Sequence, residues 1–298
     1  MSNANDLQWL KIDLSCPESL IDPVTDTLGI LSGSGVEEKP AREGRSLISS
    51  FFQLTPGNSR QKIILQVKNE LQDLFAIYGQ TLPELTSSLL ADEDWATSWQ
   101  QFFKPFAIFP GLVIKPGWEQ YQPGEGEQVI EMDPGMAFGT GKHASTRLAL
   151  ALMHSCFQQN TIINVLDVGT GTGILAMAAV LFGAEKVTAV DNDPEAVKVC
   201  QNNCLKNKLA AYIDCSATDI SAIEGSYELI SANIIHNVLI TMLPDFSRLL
   251  PRGGLLVLAG ILQDVQEQNI IDQALQYGFI EKKILHDEEW SGILLTRQ

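Results

Sequence analysis

Three glycines and two aspartates in one short stretch carry the clearest chemical signal in this sequence. The segment NVLDVGTGTGILAMAAVLFGAEKVTAVDNDP holds Asp167 at the end of one apolar run, then Gly169, Gly171 and Gly173, and Asp191 at the end of the next run. Closely spaced glycines make a tight turn and let backbone amides approach a ligand. A carboxylate at the second strand end is well placed to accept hydrogen bonds from both hydroxyls of a ribose. A dinucleotide fold also begins with such a turn, but its fingerprint is GxGxxG, whereas here Ile174 follows Gly173. That loop also cradles a pyrophosphate at a helix N-terminus. Asp167, just ahead of the glycines, would repel a pyrophosphate and suits a cationic or amino-bearing ligand.

A second glycine-rich stretch, EMDPGMAFGTGKHASTRLAL, covers residues 131–150. Gly135, Gly139 and Gly141 give a loop able to fold closely over a ligand. Phe138 can pack on an apolar or ring surface, and Ser145 and Thr146 can cap or start the following helix. His143 and His236 are the histidines nearest these stretches, and His143 is read as structural. The five cysteines, Cys16, Cys156, Cys200, Cys204 and Cys215, form no CxxC pair. Cys200 and Cys204 can share a helix face, but no histidine lies near them, so free and mostly buried thiols are expected and no metal site.

These residues need a scaffold, and the pattern supplies one. Apolar strands are expected at 162–167, 186–191, 227–232 and 255–259. Helices are expected at 146–156, 174–182, 194–207 and 265–277, with one after 232 that runs to Leu250. Two more strands, near 279–285 and 291–296, close the chain. Strands alternating with helices predict an α/β fold, a mostly parallel sheet with helices on both faces. Such sheets bind ligands beyond the carboxyl ends of their strands. The N-terminal part reads strand (9–14), helix (17–31), strand (45–54), helix (59–78), which suits a small α/β domain. Between them, Trp95, Trp99, Phe102, Phe103, Phe106, Phe109 and Trp118 with four prolines mark a packed connecting segment, with one strand near 106–114. The expected organisation is a domain at 1–80, a connecting segment at 81–125 and a larger domain at 126–298.

Composition bounds the partners. The chain has 298 residues, 45% hydrophobic, with 20 Lys+Arg against 36 Asp+Glu and a net charge of −16. A core is available, so global disorder is excluded. The charge argues against non-specific binding of nucleic acid phosphates and permits a basic protein partner. The N-terminus has no basic segment followed by a long apolar run, and no apolar stretch is long enough to span a bilayer. A cytoplasmic protein without membrane contact is expected.

The glycine turn with its two strand-end aspartates resembles the class I methyltransferases that use S-adenosylmethionine. In that class the glycine loop lies against the methionine part of the cofactor and the second acidic end holds the ribose. The resemblance therefore implies a doubly wound, mostly parallel seven-stranded sheet, with Asp167, Gly169 and Gly171 in the first motif and Asp191 in the second. Asp193 is expected to cap the helix that begins at Pro194, or to face solvent. The 131–150 stretch is similar to the signature DPGxAFGTGTHPTT of the PrmA-type ribosomal protein methyltransferases. That resemblance places cofactor contacts on Phe138, Gly139, Thr140 and Thr146. SANIIHN, at 231–237, resembles the family's strand-end ANILA motif. It puts Asn233 where the class carries an Asn or Asp that touches the cofactor and orients the substrate nitrogen, hence the catalytic residue. The PGG turn, the GIL segment and the closing GF…EW pattern also follow the family.

What this resemblance implies is an S-adenosylmethionine-dependent enzyme. Its acceptor would be amino groups, lysine side chains or the terminal amine, of a basic large-subunit ribosomal protein, with the N-terminal domain recognising that protein and the chain acting as a monomer. Departures bear on the substrate. Lys142 replaces the usual Thr, Ala144 a Pro and Ser145 a Thr, and Ile234-Ile235-His236-Asn237 replaces Leu-Ala-small. These leave open a related class I methyltransferase acting on another protein or on a small amine or acid.

Overall fold

The structure is a computed structural model that describes residues 8–32, 36–40, 44–54, 58–91, 104–132, 141–263 and 265–298. The chain divides into two compact units: 1–104 with 134–138, and 105–133 with 139–298.

The first unit is a four-stranded antiparallel sheet, order β2-β3-β1-β4, with two helices. Its elements are β1 (Gln8–Pro17), α1 (Ile21–Ser32), β2 (Val36–Pro40), β3 (Arg45–Gln53), α2 (Arg60–Ile77) and β4 (Thr86–Ala91). The sequence dictates which face is buried. Leu10, Ile12, Leu14 and Cys16 alternate along β1 and point to one side of the pleat. Ile63, Val67, Leu71 and Phe75 recur every fourth residue on α2, and Leu20, just ahead of α1, leads at the same spacing into Val24 and Leu28 on it. These stripes pack together into one core. Strand β4 pairs with β1 and lies in the stretch that the sequence reads as a connecting segment.

The second unit opens with a small sheet of β5 (Phe106–Phe109), β6 (Leu112–Lys115) and β7 (Gln128–Glu131). The single strand expected near 106–114 is a hairpin, turned at Pro110 and Gly111, where Gly111 has φ +102°. Then follow α3 (Ala144–Gln159), β8 (Asn164–Val168), α4 (Ile174–Phe182), β9 (Lys186–Val190), α5 (Pro194–Lys206), β10 (Ile213–Ser216), β11 (Leu229–Asn233), α6 (His236–Leu249), β12 (Leu255–Leu262), α7 (Val265–Gln276), β13 (Phe279–Asp287) and β14 (Trp290–Arg297).

Seven of these strands form one mixed sheet, order β10-β9-β8-β11-β12-β14-β13. The first five pair in parallel and β14 and β13 close the edge antiparallel. Successive strand residues feed opposite faces. Val165, Val187, Leu229 and Val257 join a core with α3, α4 and α5. Leu166, Val190, Ile230 and Leu258 join a second core with α6 and α7. Burial on both faces explains the continuous apolar runs that mark these strands. No helix among the described residues is long and apolar enough to cross a membrane.

Candidate functional site at the carboxyl ends of the parallel strands

Asp167 sits near the end of β8 and is 1% exposed. Its Oδ2 accepts from the Thr170 hydroxyl at 2.6 Å and its Oδ1 from the Ser231 hydroxyl at 2.7 Å. Ser231 is its register partner on β11, so the parallel pairing itself brings the hydroxyl to the acid. Burial pushes the Asp167 carboxyl up to about 6. The Thr170 and Ser231 hydroxyls and the Ala176 N–H oppose the rise, and the neighbouring Asp191 charge adds to it. A carboxylate held this way gains from any cation brought beside it.

The glycine turn follows. The N–H groups of Gly169 and Thr170 both donate to the Val190 carbonyl, at 2.9 and 3.0 Å, which ties the turn to the end of β9. Gly169 has φ +69°, and a Cβ there would lie 2.9 Å from Ile234 Cγ2. Only glycine fits both constraints, so the loop backbone lies against the end of β11. The Gly171 N–H donates to Asp191 Oδ2 at 2.9 Å, and the Asp193 N–H to Asp191 Oδ1 at 3.0 Å. Each Asp191 oxygen thus takes one backbone donor and retains a further lone pair for a ligand hydroxyl. Asp193 caps α5 through the Glu195 N–H at 2.9 Å, with Pro194 in the first turn.

Asn233 ends β11 at 8% exposure. Its Nδ2 donates to Thr146 Oγ1 at 3.3 Å, and Thr146 is fully buried on α3. Its Oδ1 is buried and has no hydrogen-bond partner. Among the described residues three buried side-chain polar atoms are left without a partner: Thr25 Oγ1, Asn233 Oδ1 and His236 Nε2. Two of the three therefore lie three positions apart on one strand-to-helix turn. Such orphans cost free energy unless a ligand satisfies them.

Of the expected residues, Asp167, Gly169, Gly171, Asp191 and Asn233 lie at or just after the strand ends, where Gly171 bonds Asp191 and Asn233 bonds Thr146 of α3. Phe138, Gly139 and Thr140 lie outside the described residues, as do Trp95, Trp99, Phe102 and Phe103. Ser145 and Thr146 start α3 in its first turn, and His143 caps it, with Nδ1 accepting from the Ser145 N–H at 3.3 Å and its ring edge-on to Trp290 at 4.8 Å. Lys142 places its ammonium 5.6 Å above the Phe106 ring, and partial burial lowers its pKa. Arg147 joins the same region to the β13–β14 turn, donating to Asp287 at 2.8 Å and to the Lys142 carbonyl.

Sequence reading missed three supports. Thr170 and Ser231 are ordinary hydroxyls until the fold sets them against Asp167. Gly260 is the third. It has φ +80°, and a Cβ there would meet the Ile234 carbonyl at 2.6 Å and Asn233 Oδ1 at 3.2 Å. The β12–β14 register shifts between Leu258 and Ile261. A glycine inside a strand signals such a bulge, and that signal was available in the GIL segment.

The donor set fits a cationic nucleoside ligand: a buried carboxylate held ionisable by hydroxyls, an acidic strand end with free lone pairs and an orphaned amide oxygen. The comparisons with known proteins agree. The family model described as ribosomal protein L11 methyltransferase (PrmA) matches residues 8–298. A ribosomal protein L11 methyltransferase of Desulfotalea psychrophila is 40% identical over 299 residues, covering 98% of each chain. One from Geobacter metallireducens is 37% identical over 305 residues, 97% of this chain and 98% of its own. The crystal structure of a ribosomal protein L11 methylase from Lactobacillus delbrueckii subsp. bulgaricus aligns with a TM-score of 0.61 at 30% identity, covering 66% of this chain and all of that one.

Proposed function

The chain belongs to the ribosomal protein L11 methyltransferase family, and on that premise we propose that it methylates amino groups, lysine side chains and the terminal amine, of a basic large-subunit ribosomal protein. It is an S-adenosylmethionine-dependent methyltransferase. The cofactor supplies a methyl group on a sulfonium that is already a good leaving group. The observation that carries the reading is the buried Asp167 near the end of β8 and, at the end of the neighbouring strand β11, Asn233 with its unpartnered Oδ1.

In this reading Asp167 and Gly169 hold the cationic, amino-bearing end of the cofactor and Asp191 its ribose. Phe138, Gly139 and Thr140 contribute cofactor contacts, and Thr146 supports it from α3. Asn233 Oδ1 accepts from the substrate amine and aims its lone pair in line. An amine must lose a proton before it attacks, since a lysine ammonium has a pKa near ~10.4. His236 Nε2, the other orphan on the same turn, offers an acceptor for that proton. The seven-stranded sheet with helices on both faces is the doubly wound class I methyltransferase sheet, and the 1–80 part recognises the substrate protein. The chain works as a cytoplasmic monomer with no nucleic acid contact of its own.

A net charge of −16 favours encounter with a basic partner, and the encounter rate falls as salt screens it. Incubation with labelled cofactor and purified large-subunit ribosomal proteins is the test. Label on lysine or terminal amines of one basic protein, with an initial rate that falls with ionic strength, is expected. Label confined to small amines or to non-ribosomal proteins would instead support the broader reading that Lys142 and the His236–Asn237 rim leave open.

A further inference from the structure

Three of the five cysteines converge although they come from two elements. Cys200 and Cys204 are one turn apart on the buried face of α5, and Cys215 lies on β10, opposite Ala189 of β9. Their Sγ atoms all lie within 4.8 Å of one another, and Cys200 Sγ is 3.1 Å from Cys215 Sγ. Cys200 and Cys204 are buried, and Cys215 is half-buried.

We propose that Cys200, Cys204 and Cys215 form a three-thiolate site for a single soft d10 metal ion. Two ligands one helical turn apart and a third from an adjoining strand enclose one point from three sides. The donor set is sulfur alone, which selects soft thiophilic ions over Mg²⁺ or Ca²⁺. On binding, each thiol gives up its proton to solvent, and three sulfur–metal bonds replace three S–H bonds. No electron is transferred.

The position gives the site a consequence. A Cβ on Gly173 would lie 2.7 Å from Cys200 Sγ, so this sulfur packs directly beneath the end of the glycine turn. Thr170 Oγ1, which donates to Asp167, is 3.9 Å from the same sulfur. An ion bridging α5 to β10 therefore staples the two elements under the turn, and ion and cofactor affinities are linked reciprocally.

The test uses the full reduced chain, free of oxygen, with Cd²⁺ as the d10 probe. One ion per chain is expected, with thiolate-to-metal charge-transfer absorption that saturates at one equivalent. The intact mass should gain one ion and lose thiol protons to match. The bound ion should raise the Tm. It should also slow alkylation of Cys215, a readout that needs no variant. The single variants Cys204→Ser and Cys215→Ser should each weaken binding by at least about tenfold, an order-of-magnitude expectation for losing one ligand. The site is refuted if no saturable binding occurs, if the triple Cys→Ser chain binds equally well, or if the chain carries a Cys200–Cys215 disulfide as isolated under reducing conditions.

Discussion

The two compact units bury different kinds of polar group. Among the described residues of the first unit the buried polar residues are Ser46, Ser49 and Ser50, and each hydroxyl closes onto its own sheet, which leaves Thr25 Oγ1 on α1 as the one buried side-chain polar atom there without a partner. Ser46 donates to Glu38 at 2.7 Å, Ser49 to Asp13 at 2.5 Å and Ser50 to the Ile12 carbonyl at 3.5 Å. In the second unit a carboxylate and two amides are buried, Asp167, Asn203 and Asn233, and Asn233 ends in an acceptor with no donor. Hydroxyls that close onto their own sheet contribute stability and shape. An interior with ligand-facing atoms left open holds binding capacity at the expense of stability. The charged and amide groups of the reaction are therefore predicted to reside in the second unit, and substitutions at Asn233, Asp167 and Ser49 should sort by unit.

The largest effect is expected at Asn233. Asn233→Ala should lower kcat on the order of 10² to 10³, the loss typical of one positioned polar group at a reacting centre. Cofactor Kd should change by less than about tenfold, because Asp167 and Asp191 remain. Single-turnover kinetics and calorimetry read the two quantities separately. A Kd loss as large as the kcat loss would move Asn233 from orienting the amine to holding the cofactor.

Asp167 comes next, and with the opposite signature. Asp167→Asn should raise the cofactor Kd on the order of 10²-fold, since a charge-assisted contact is lost. The same variant should keep or raise the Tm of the free protein at pH 8, because a buried charge is removed while an amide oxygen still accepts from one of the Thr170 and Ser231 hydroxyls. If thermal unfolding drops sharply instead, Asp167 is a structural acid and the contrast between the units weakens.

How much of this could be read beforehand follows the range of the interactions. The turn at Gly169, Gly171 and Gly173 and the strand-end acids Asp167 and Asp191 are local, so their spacing exposed them. The parallel strands were legible because both faces are apolar. The thiol cluster was not. Strand β10 has only four residues, Ile213–Ser216, with no apolar run to mark it, so the third sulfur could not be set against α5. Ser231 lies 64 positions from Asp167 and is joined to it only by strand register. At the start of α3 an imidazole Nδ1 takes the capping role that residue preference assigns to hydroxyls, so residue type alone does not mark His143 as the cap.

A smaller and graded effect comes from pH. The folded pKa of Asp167, about 6, is raised above the ordinary carboxylate value. Folding therefore favours its protonated form. The stability it contributes is complete below about pH 4 and is lost as pH rises to about 6, by roughly 3 kcal/mol. Cofactor binding runs the other way, because a cationic ligand selects the ionised acid. The Kd should be flat above about pH 6 and rise about tenfold per unit below it. Calorimetry across this range should give that slope for the parent chain and none for Asp167→Asn. A slope that survives the substitution would assign it to another group.

The smallest effect tests the other unit. Ser49→Ala deletes a hydroxyl whose partner, Asp13, also pairs with Lys11 at 2.8 Å. Asp13 therefore keeps a donor, and the loss should be about 1 kcal/mol of stability, the net worth of an ordinary hydrogen bond. Cofactor Kd should stay within about twofold of the parent, as expected for sites without shared partners. Denaturant unfolding and calorimetry on the same preparation decide the matter. A Kd shift comparable to that of Asp167→Asn would mean that the hydroxyls buried in the first unit's sheet are energetically coupled to the strand-end groups of the second, and the contrast between them would have to be abandoned.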